Sequence, residues 1–333
     1  MPSDPHFSDT LLRWYALYRR DLPWRRTQDP YAIWLSEIIL QQTRVVQGRA
    51  YWERFLQRFP TVEDLAAASE DEDLRLWEGL GYYSRARNLH AAARQIVEMG
   101  GFPRTLEGIR SLKGVGPYTA AAIGSIAFGL PAAVLDGNVY RVLARYYGIF
   151  TPVGTPAAQK AFSTLAQELL PPRQAADYNQ ALMDFGALQC TPAGPACETC
   201  PLSASCHAFR HGQTALLPVK KPAAGVQERH LIYVYVRFKG ETAFRRRGAG
   251  DIWQGLWEPL LVAGAPAGAR QLAAGVKHQL THRTLYADFY LWEPAERPPL
   301  PEGYGWIPEA ELPSYAKPVL VNRLLALISP EAT

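Results

Sequence analysis

Apolar residues recur at three- and four-residue steps through most of 7–217, the spacing that places them on one face of a helix. The pattern predicts helices over 7–18, 34–40, 45–59, 71–76, 85–99, 119–128, 138–147 and 156–170. Breakers such as Phe59-Pro60, Gly100-Gly101 and Pro171-Pro172 separate them. From 218 to 228 the run PVKKPAAGVQE has little to bury and reads as a linker. Beyond it the period changes. His230-Leu-Ile-Tyr-Val-Tyr-Val-Arg-Phe238 and Leu285-Tyr-Ala-Asp-Phe-Tyr-Leu-Trp292 are rich in β-branched and aromatic residues and read as strands, and 317–328 closes as a helix. The expected architecture is a mainly α domain over 1–217, a linker over 218–228 and a smaller α+β domain over 229–333. There is no internal repeat.

Composition narrows the class. With 48% hydrophobic and 20% charged residues in a chain of 333, a packed core is expected, and disorder, collagen and coiled coil are excluded. The net charge of +4 permits a nucleic-acid partner without requiring one. The opening MPSDPHFSDT is polar and has no apolar core, so no secretory signal is expected. The longest uncharged stretch, 114–135, is interrupted by Gly114, Gly116, Pro117, Gly129 and Pro131 and reads as a buried helix, not a membrane span.

All four cysteines fall within 190–206, as Cys190-x6-Cys197-x2-Cys200-x5-Cys206 in a loop broken by Pro and Gly. Clustering of this kind suggests a metal site, and the spacing by itself leaves iron–sulfur and zinc both open. A second motif lies at Leu112-Lys-Gly-Val-Gly-Pro-Tyr-Thr-Ala120, between two predicted helices. There Lys113, Gly114, Val115 and Gly116 can present backbone N–H groups at a helix start, a place to hold a phosphate, although an ordinary helix–helix turn would read the same. Two carboxylates also stand out. Glu37 sits in an apolar stretch, where desolvation should raise its pKa and suit it to a general acid. Asp136 precedes Gly137 and Asn138 at a helix start, where N–H donors would keep it ionised. The plainer readings are an exposed helical Glu and a simple N-terminal cap.

Taken together, these runs resemble a known family. The hairpin at 112–120, Leu135-Asp-Gly-Asn-Val-Tyr-Arg-Val-Leu-Ala-Arg145 and the cysteine loop resemble the helix–hairpin–helix DNA glycosylase superfamily. Within it, Leu22-Pro-Trp-Arg25, Trp34-Leu-Ser-Glu-Ile-Ile-Leu-Gln-Gln-Thr43 and Gly79-Leu-Gly-Tyr-Tyr-Ser-Arg-Ala-Arg-Asn88 are similar to adenine DNA glycosylases of the MutY family. The resemblance spans about 7–217. It implies removal of adenine mispaired with 8-oxoguanine or guanine in double-stranded DNA, by a monomeric bacterial protein of the cytoplasm, associated with the nucleoid and not with a membrane.

The same resemblance assigns roles. Glu37 is the acid to the leaving base and Asp136 stabilises the sugar cation, with Asn138 and Tyr118 supporting them. Trp24, Arg25, Leu40 and Gln180 line the adenine pocket; the family often has Glu where Gln180 stands. Gln41, Gln42, Thr43, Leu80 and Tyr82 surround the estranged lesion, with Tyr82 inserted into the stack, while Lys113, Gly114, Val115 and Gly116 meet the backbone. The four cysteines resemble ligands of a 4Fe-4S cluster. Related glycosylase/lyases such as endonuclease III carry a Schiff-base lysine where Tyr118 stands, so no strand cleavage is expected. The C-terminal part resembles a Nudix-like recognition domain, Trp253-Gln-Gly-Leu-Trp-Glu-Pro259 being its most typical run. In it, Thr281 and His282 of Leu280-Thr281-His282 stand where the family often has Phe-Ser-His to read 8-oxoguanine. No metal-binding Nudix helix occurs in 228–333, and Arg245-Arg246-Arg247 is expected to be a solvated turn. The competing readings are a pyrimidine glycosylase/lyase and a non-catalytic iron–sulfur DNA-binding protein.

Overall fold

The computed structural model describes residues 4–221 and 225–328, so the expected linker at 218–228 lies partly outside the described residues. The chain divides into two compact units, Met1–Ala66 with Ala91–Pro222, and Ala67–His90 with Ala223–Thr333. Among the described residues no helix is long and apolar enough to cross a membrane.

The first unit is helical: α1 (Pro5–Tyr18), α2 (Pro30–Ile39), α3 (Val45–Arg58) and most of α4 (Val62–Ala67) precede the excursion into the second unit. That excursion carries α5 (Glu70–Leu76) and the start of α6 (Ser84–Glu98). The chain continues through α7 (Leu106–Ser111), α8 (Pro117–Phe128), α9 (Gly137–Tyr147), α10 (Pro156–Leu169), α11 (Ala175–Leu188) and α12 (His207–Arg210). Phe7, Leu11, Val142, Leu143, Phe162 and Phe185 belong to its buried core. The uncharged stretch supplies α8, whose residues 119–125 are buried, and Gly129 ends it in the left-handed conformation that lets a helix close its last carbonyls.

The second unit is built on a six-stranded sheet ordered β4-β5-β1-β3-β2-β6. Its strands are β1 (Gln227–Phe238), β2 (Glu241–Arg246), β3 (Trp257–Val262), β4 (Arg270–Gln279), β5 (Arg283–Trp292) and β6 (Gly305–Pro308). The near-continuous apolar run of β1 follows from burial on both faces. Leu231, Tyr233 and Tyr235 join a core completed by α13 (Val319–Ile328), while Val234 and Val236 join a second core on the other face. β1 pairs in parallel with β5, Tyr233 lying opposite Phe289.

Arg245-Arg246-Arg247 is not a solvated turn. Arg245 and Arg246 lie in β2, and Arg247 is buried. Arg245 Nη2 lies 2.8 Å from a Glu258 oxygen, Arg247 bonds the other Glu258 oxygen, and Arg246 pairs with Glu70 at 2.9 Å. A buried arginine must be paired, and the fully buried Glu258, which also accepts from Tyr233 Oη at 3.2 Å, meets that need. Glu258→Ala should therefore destabilise the second unit by ~1–3 kcal/mol, read as a lowered urea midpoint, because it leaves Arg247 to Asp251 alone and takes the acceptor from the buried Tyr233 hydroxyl.

Candidate active site

Asp29 caps the start of α2, accepting from Tyr31 N at 3.1 Å and Ala32 N at 3.3 Å, and Pro30 occupies the first turn where its missing N–H costs nothing. Every α2 residue from Tyr31 to Ile39 is buried, and Glu37 is the one charge among them. Tyr118 Oη, from α8, donates to Glu37 Oε2 at 3.1 Å. Burial raises the Glu37 carboxyl to about 7; the Tyr118 hydrogen bond pulls it down, the Asp136 charge pushes it up and Arg25 pulls it down. Burial also lifts the Tyr118 phenol well above its ordinary range, as do the two nearby carboxylates, so it stays a donor.

Asp136 does cap α9, accepting from Val139 N at 2.7 Å. Its second oxygen accepts from Asn138 Nδ2 at 2.8 Å. Asn138 is in turn held by Arg141, whose Nη2 donates to Asn138 Oδ1 at 2.8 Å and to Gly186 O at 2.6 Å, while its Nε donates to Cys190 O at 2.8 Å. Gly186 makes this approach feasible: a Cβ there would lie 2.6 Å from Asn138 Cβ.

The cap and the buried acid, far apart in sequence, line one cavity of about 570 Å³. Trp24, Arg25, Leu40 and Gln180 line it too. Trp24 is braced edge-on by Trp52 with centroids 5.8 Å apart. Arg25 grips Asp184 through two hydrogen bonds of 2.5 and 2.8 Å, and Arg20 Nε adds a third at 2.6 Å. Burial favours protonation of Asp184, yet these arginine bonds hold its carboxyl below the usual range. Gln180 Nε2 bonds Ala176 O at 3.3 Å, whereas its buried Oε1 has no hydrogen-bond partner among the described residues, leaving an acceptor for a ligand's N–H. Asp184, Arg20 and Arg141 were not singled out from sequence. No local signal marks Asp184: its helix also carries Asp177, Asn179 and Gln180, and its arginine partners lie 159 and 164 residues earlier in the chain.

The turn Gln41-Gln42-Thr43 follows α2, with Gln42 in the left-handed region at φ 57° and Gln41 Nε2 3.3 Å from Thr119 Oγ1. The hairpin Lys113-Gly114-Val115-Gly116 joins α7 to α8. Gly114 has φ 77°, which only glycine adopts without strain, and the N-cap residue of α8, Gly116, has no side chain with which to cap its first N–H groups. In the second unit, Leu80 is buried and Tyr82 is 43% exposed at φ 48°. Tyr82 Oη is hydrogen-bonded to Thr281 Oγ1, and both line a cavity of about 620 Å³ with His282 and Trp253. Non-glycine residues at positive φ cost about 1–3 kcal/mol and concentrate where function holds them.

Cys190, Cys197, Cys200 and Cys206 line a single small cavity with Val142, Leu202 and other apolar side chains. Arg145 Nη1 donates to Cys190 Sγ at 3.4 Å. Burial pushes the thiols of Cys197 and Cys206 up, and that of Cys200 to about 11. Among the described residues no group of three or more His, Cys, Asp or Glu converges on one ion.

Residues 35–171 match the HhH-GPD superfamily base excision DNA repair protein, and 232–327 match the NUDIX domain. The adenine DNA glycosylase of Buchnera aphidicola subsp. Schizaphis graminum is 35% identical over 254 residues, covering 75% of this chain and 73% of the relative. The chain belongs to the adenine DNA glycosylase family. The Homo sapiens adenine DNA glycosylase is 46% identical over 213 residues, which cover 61% of this chain but only 39% of the human protein. This chain thus spans under half the length of the mammalian family members it matches. Among solved structures, a thermostable thymine-DNA glycosylase aligns with TM-score 0.57 and 34% identity over 62% of this chain and 96% of its own. A non-covalent endonuclease III–DNA complex aligns at TM-score 0.54 and 22% identity, a likeness of fold.

Proposed function

We propose that this protein removes adenine opposite 8-oxoguanine, or opposite guanine, from double-stranded DNA by hydrolysis of the N-glycosidic bond. The observation that carries the reading is the single cavity in which a buried, proton-holding Glu37 and the helix-capping Asp136 face a common space. Adenine leaves poorly as an anion. Glu37 gives its proton to a ring nitrogen of the base as the sugar–base bond breaks and the bonding electrons depart with the base. The sugar left behind is an oxocarbenium-like cation, and the Asp136 carboxylate stabilises it until water adds and releases a proton. Asn138 and Tyr118 orient the two acids. Trp24, Arg25, Leu40 and Gln180 receive the extruded base, and the free Gln180 acceptor suits adenine's amino group.

The remaining duplex contacts follow the same reading. The uncapped start of α8, with Lys113 to Gly116, takes backbone phosphate. Gln41, Gln42, Thr43, Leu80 and Tyr82 attend the opened site, and Thr281 and His282 read the lesion. A phenol at position 118 cannot form an imine, so the product is an uncut abasic site.

The residues present also fit an iron–sulfur group. A 4Fe-4S cluster takes one thiolate per iron, and Cys190, Cys197, Cys200 and Cys206 bring four thiols to one apolar cavity. When bound, the cluster would fold the 190–206 loop. The purified protein should be brown and lose its broad visible absorption when iron is stripped; a colourless, zinc-loaded protein would overturn the assignment.

The function is tested by single-turnover incubation with duplex carrying adenine opposite 8-oxoguanine. Breaks at the adenine position appearing only after alkali are expected. Breaks without alkali, or none at all, would refute the reading.

A further inference from the structure

One carboxylate gathers the strand ends beside the Leu280-Thr281-His282 loop. Asp251, in the turn after β2, accepts Arg229 Nη1 at 2.7 and 2.8 Å, Arg247 Nη2 at 2.6 Å and Arg283 Nη1 at 3.3 Å. These guanidiniums come from β1, from the residue just past β2, and from the first residue of β5. Asp251 also lines the cavity shared by Tyr82, Thr281 and His282.

Arg283 follows His282 directly, so whatever fixes its guanidinium fixes one end of the loop. At the other end Thr284 Oγ1 donates to Gln279 Oε1 at 3.1 Å, and Gln279 Nε2 donates to Leu280 O at 3.2 Å. The turn itself is closed by Leu280 N to Arg283 O at 2.8 Å, and Gln227 N reaches His282 O at 3.1 Å. Arg247 has a second acid in Glu258, and so stays paired without Asp251. For Arg229 and Arg283, about one third exposed, the Asp251 pair adds little stability and its consequence is geometric.

We propose that Asp251 is a positioning residue for lesion discrimination: by holding Arg229 and Arg283 on one carboxylate, it sets how Thr281 and His282 meet the base opposite adenine. This deepens the glycosylase reading above and rests on it.

The test compares single-turnover excision of adenine opposite 8-oxoguanine and opposite guanine. In Asp251→Asn the preference for the lesion should fall about tenfold, with the rate opposite guanine nearly unchanged. The variant also gains positive charge, but tighter DNA binding acts on both duplexes and cancels in the ratio. Asp251→Glu should restore most of the preference. Arg283→Gln should lower the ratio by no more than Asp251→Asn does, and the double variant no further than Asp251→Asn, because the Arg283 tie is among those Asp251→Asn already cuts. An unchanged ratio, equal slowing on both duplexes or additive losses would each overturn the proposal. If Asp251→Asn lowers the unfolding midpoint, Arg283→Gln, which leaves Arg247 paired, decides the matter. A wild-type protein that excises adenine from neither duplex would remove the reaction itself, and the proposal with it.

Discussion

Glu37→Gln should abolish adenine excision while leaving duplex binding intact, with a loss of at least ~10²–10⁴-fold, the usual contribution of a positioned general acid. The substitution is nearly isosteric, and its amide oxygen can still accept the Tyr118 hydroxyl, so the cavity keeps its shape. What disappears is the proton. Because the group must be protonated to act, and burial places its titration near pH 7, wild-type excision should be flat at lower pH. Above about 7 it should decline tenfold per pH unit, and the residual activity of the variant should lack that limb. Stability runs the other way. Between the ordinary 4.5 and the folded value of about 7, the folded protein holds a proton that the unfolded chain has released. Stability therefore falls as pH rises through that window and stays lower above it, by ~3 kcal/mol at most. Glu37→Gln has no such cost, so its melting temperature should exceed the parent's at pH 8 and match it near pH 4. Thermal melts at both pH values, beside single-turnover rates, check each half. Retained activity with a persistent alkaline limb would show that another group supplies the proton.

Why Glu37 and Asp136 could be found in the sequence, while Asp184 could not, comes down to what each residue leaves in its neighbourhood. A carboxylate inside Trp34-Leu-Ser-Glu-Ile-Ile-Leu40 is conspicuous because its neighbours, Ser36 aside, are apolar. An Asp before Gly-Asn at the onset of a periodic run is a cap by local chemistry alone. The two strands foreseen, within β1 and β5, carry the longest apolar and aromatic runs: β1 is buried on both faces, and β5 alternates buried with half-buried positions. β4 is largely exposed and bulged, so its alternation is weak, and β2, β3 and β6 are short. Helix α11 escaped because Asn179, Gln180 and Asp184 interrupt its apolar pattern, although all three are buried. Asn179 bonds Val134 N, Ser125 Oγ and Ala132 O, and Asp184 is gripped by Arg20 and Arg25. Their partners lie far away in the chain, and no local window contains them. α2 begins before the expected 34 for a reason that was local: Asp29-Pro30 is a cap followed by a first-turn proline. The closing helix begins at Val319, after the expected 317, because Lys317 turns its Nζ onto Leu312 O and Tyr315 O and precedes Pro318. That 67–90 groups with the second unit is a tertiary fact with no periodic signature. It is what puts Tyr82 within hydrogen-bond reach of Thr281.

The double duty of Asp136 allows its chemistry to be separated from its structure. As a cap it accepts Val139 N; as a charge it faces the cavity and holds Asn138. Asparagine caps helices about as well as aspartate, so Asp136→Asn should leave the melting temperature of the first unit nearly unchanged. It supplies no negative charge, however, and one of its amide protons would face Asn138 Nδ2, donor against donor. Excision should fall ~10²–10³-fold, the range seen when one preorganised electrostatic partner of a transition state is removed. Asp136→Ala loses the cap as well and should cost ~0.5–2 kcal/mol of stability for a similar loss of rate. Asp136→Glu keeps the charge but moves it by a methylene, so its rate should lie between that of the parent and that of the Asn variant. The comparison turns on the first two variants. If Asn and Ala slow excision alike while only Ala lowers the unfolding midpoint, the carboxylate acts on the sugar cation through its charge. If rate instead follows stability across the series, Asp136 serves only to start α9, and the positive sugar must find its counter-charge elsewhere in the cavity.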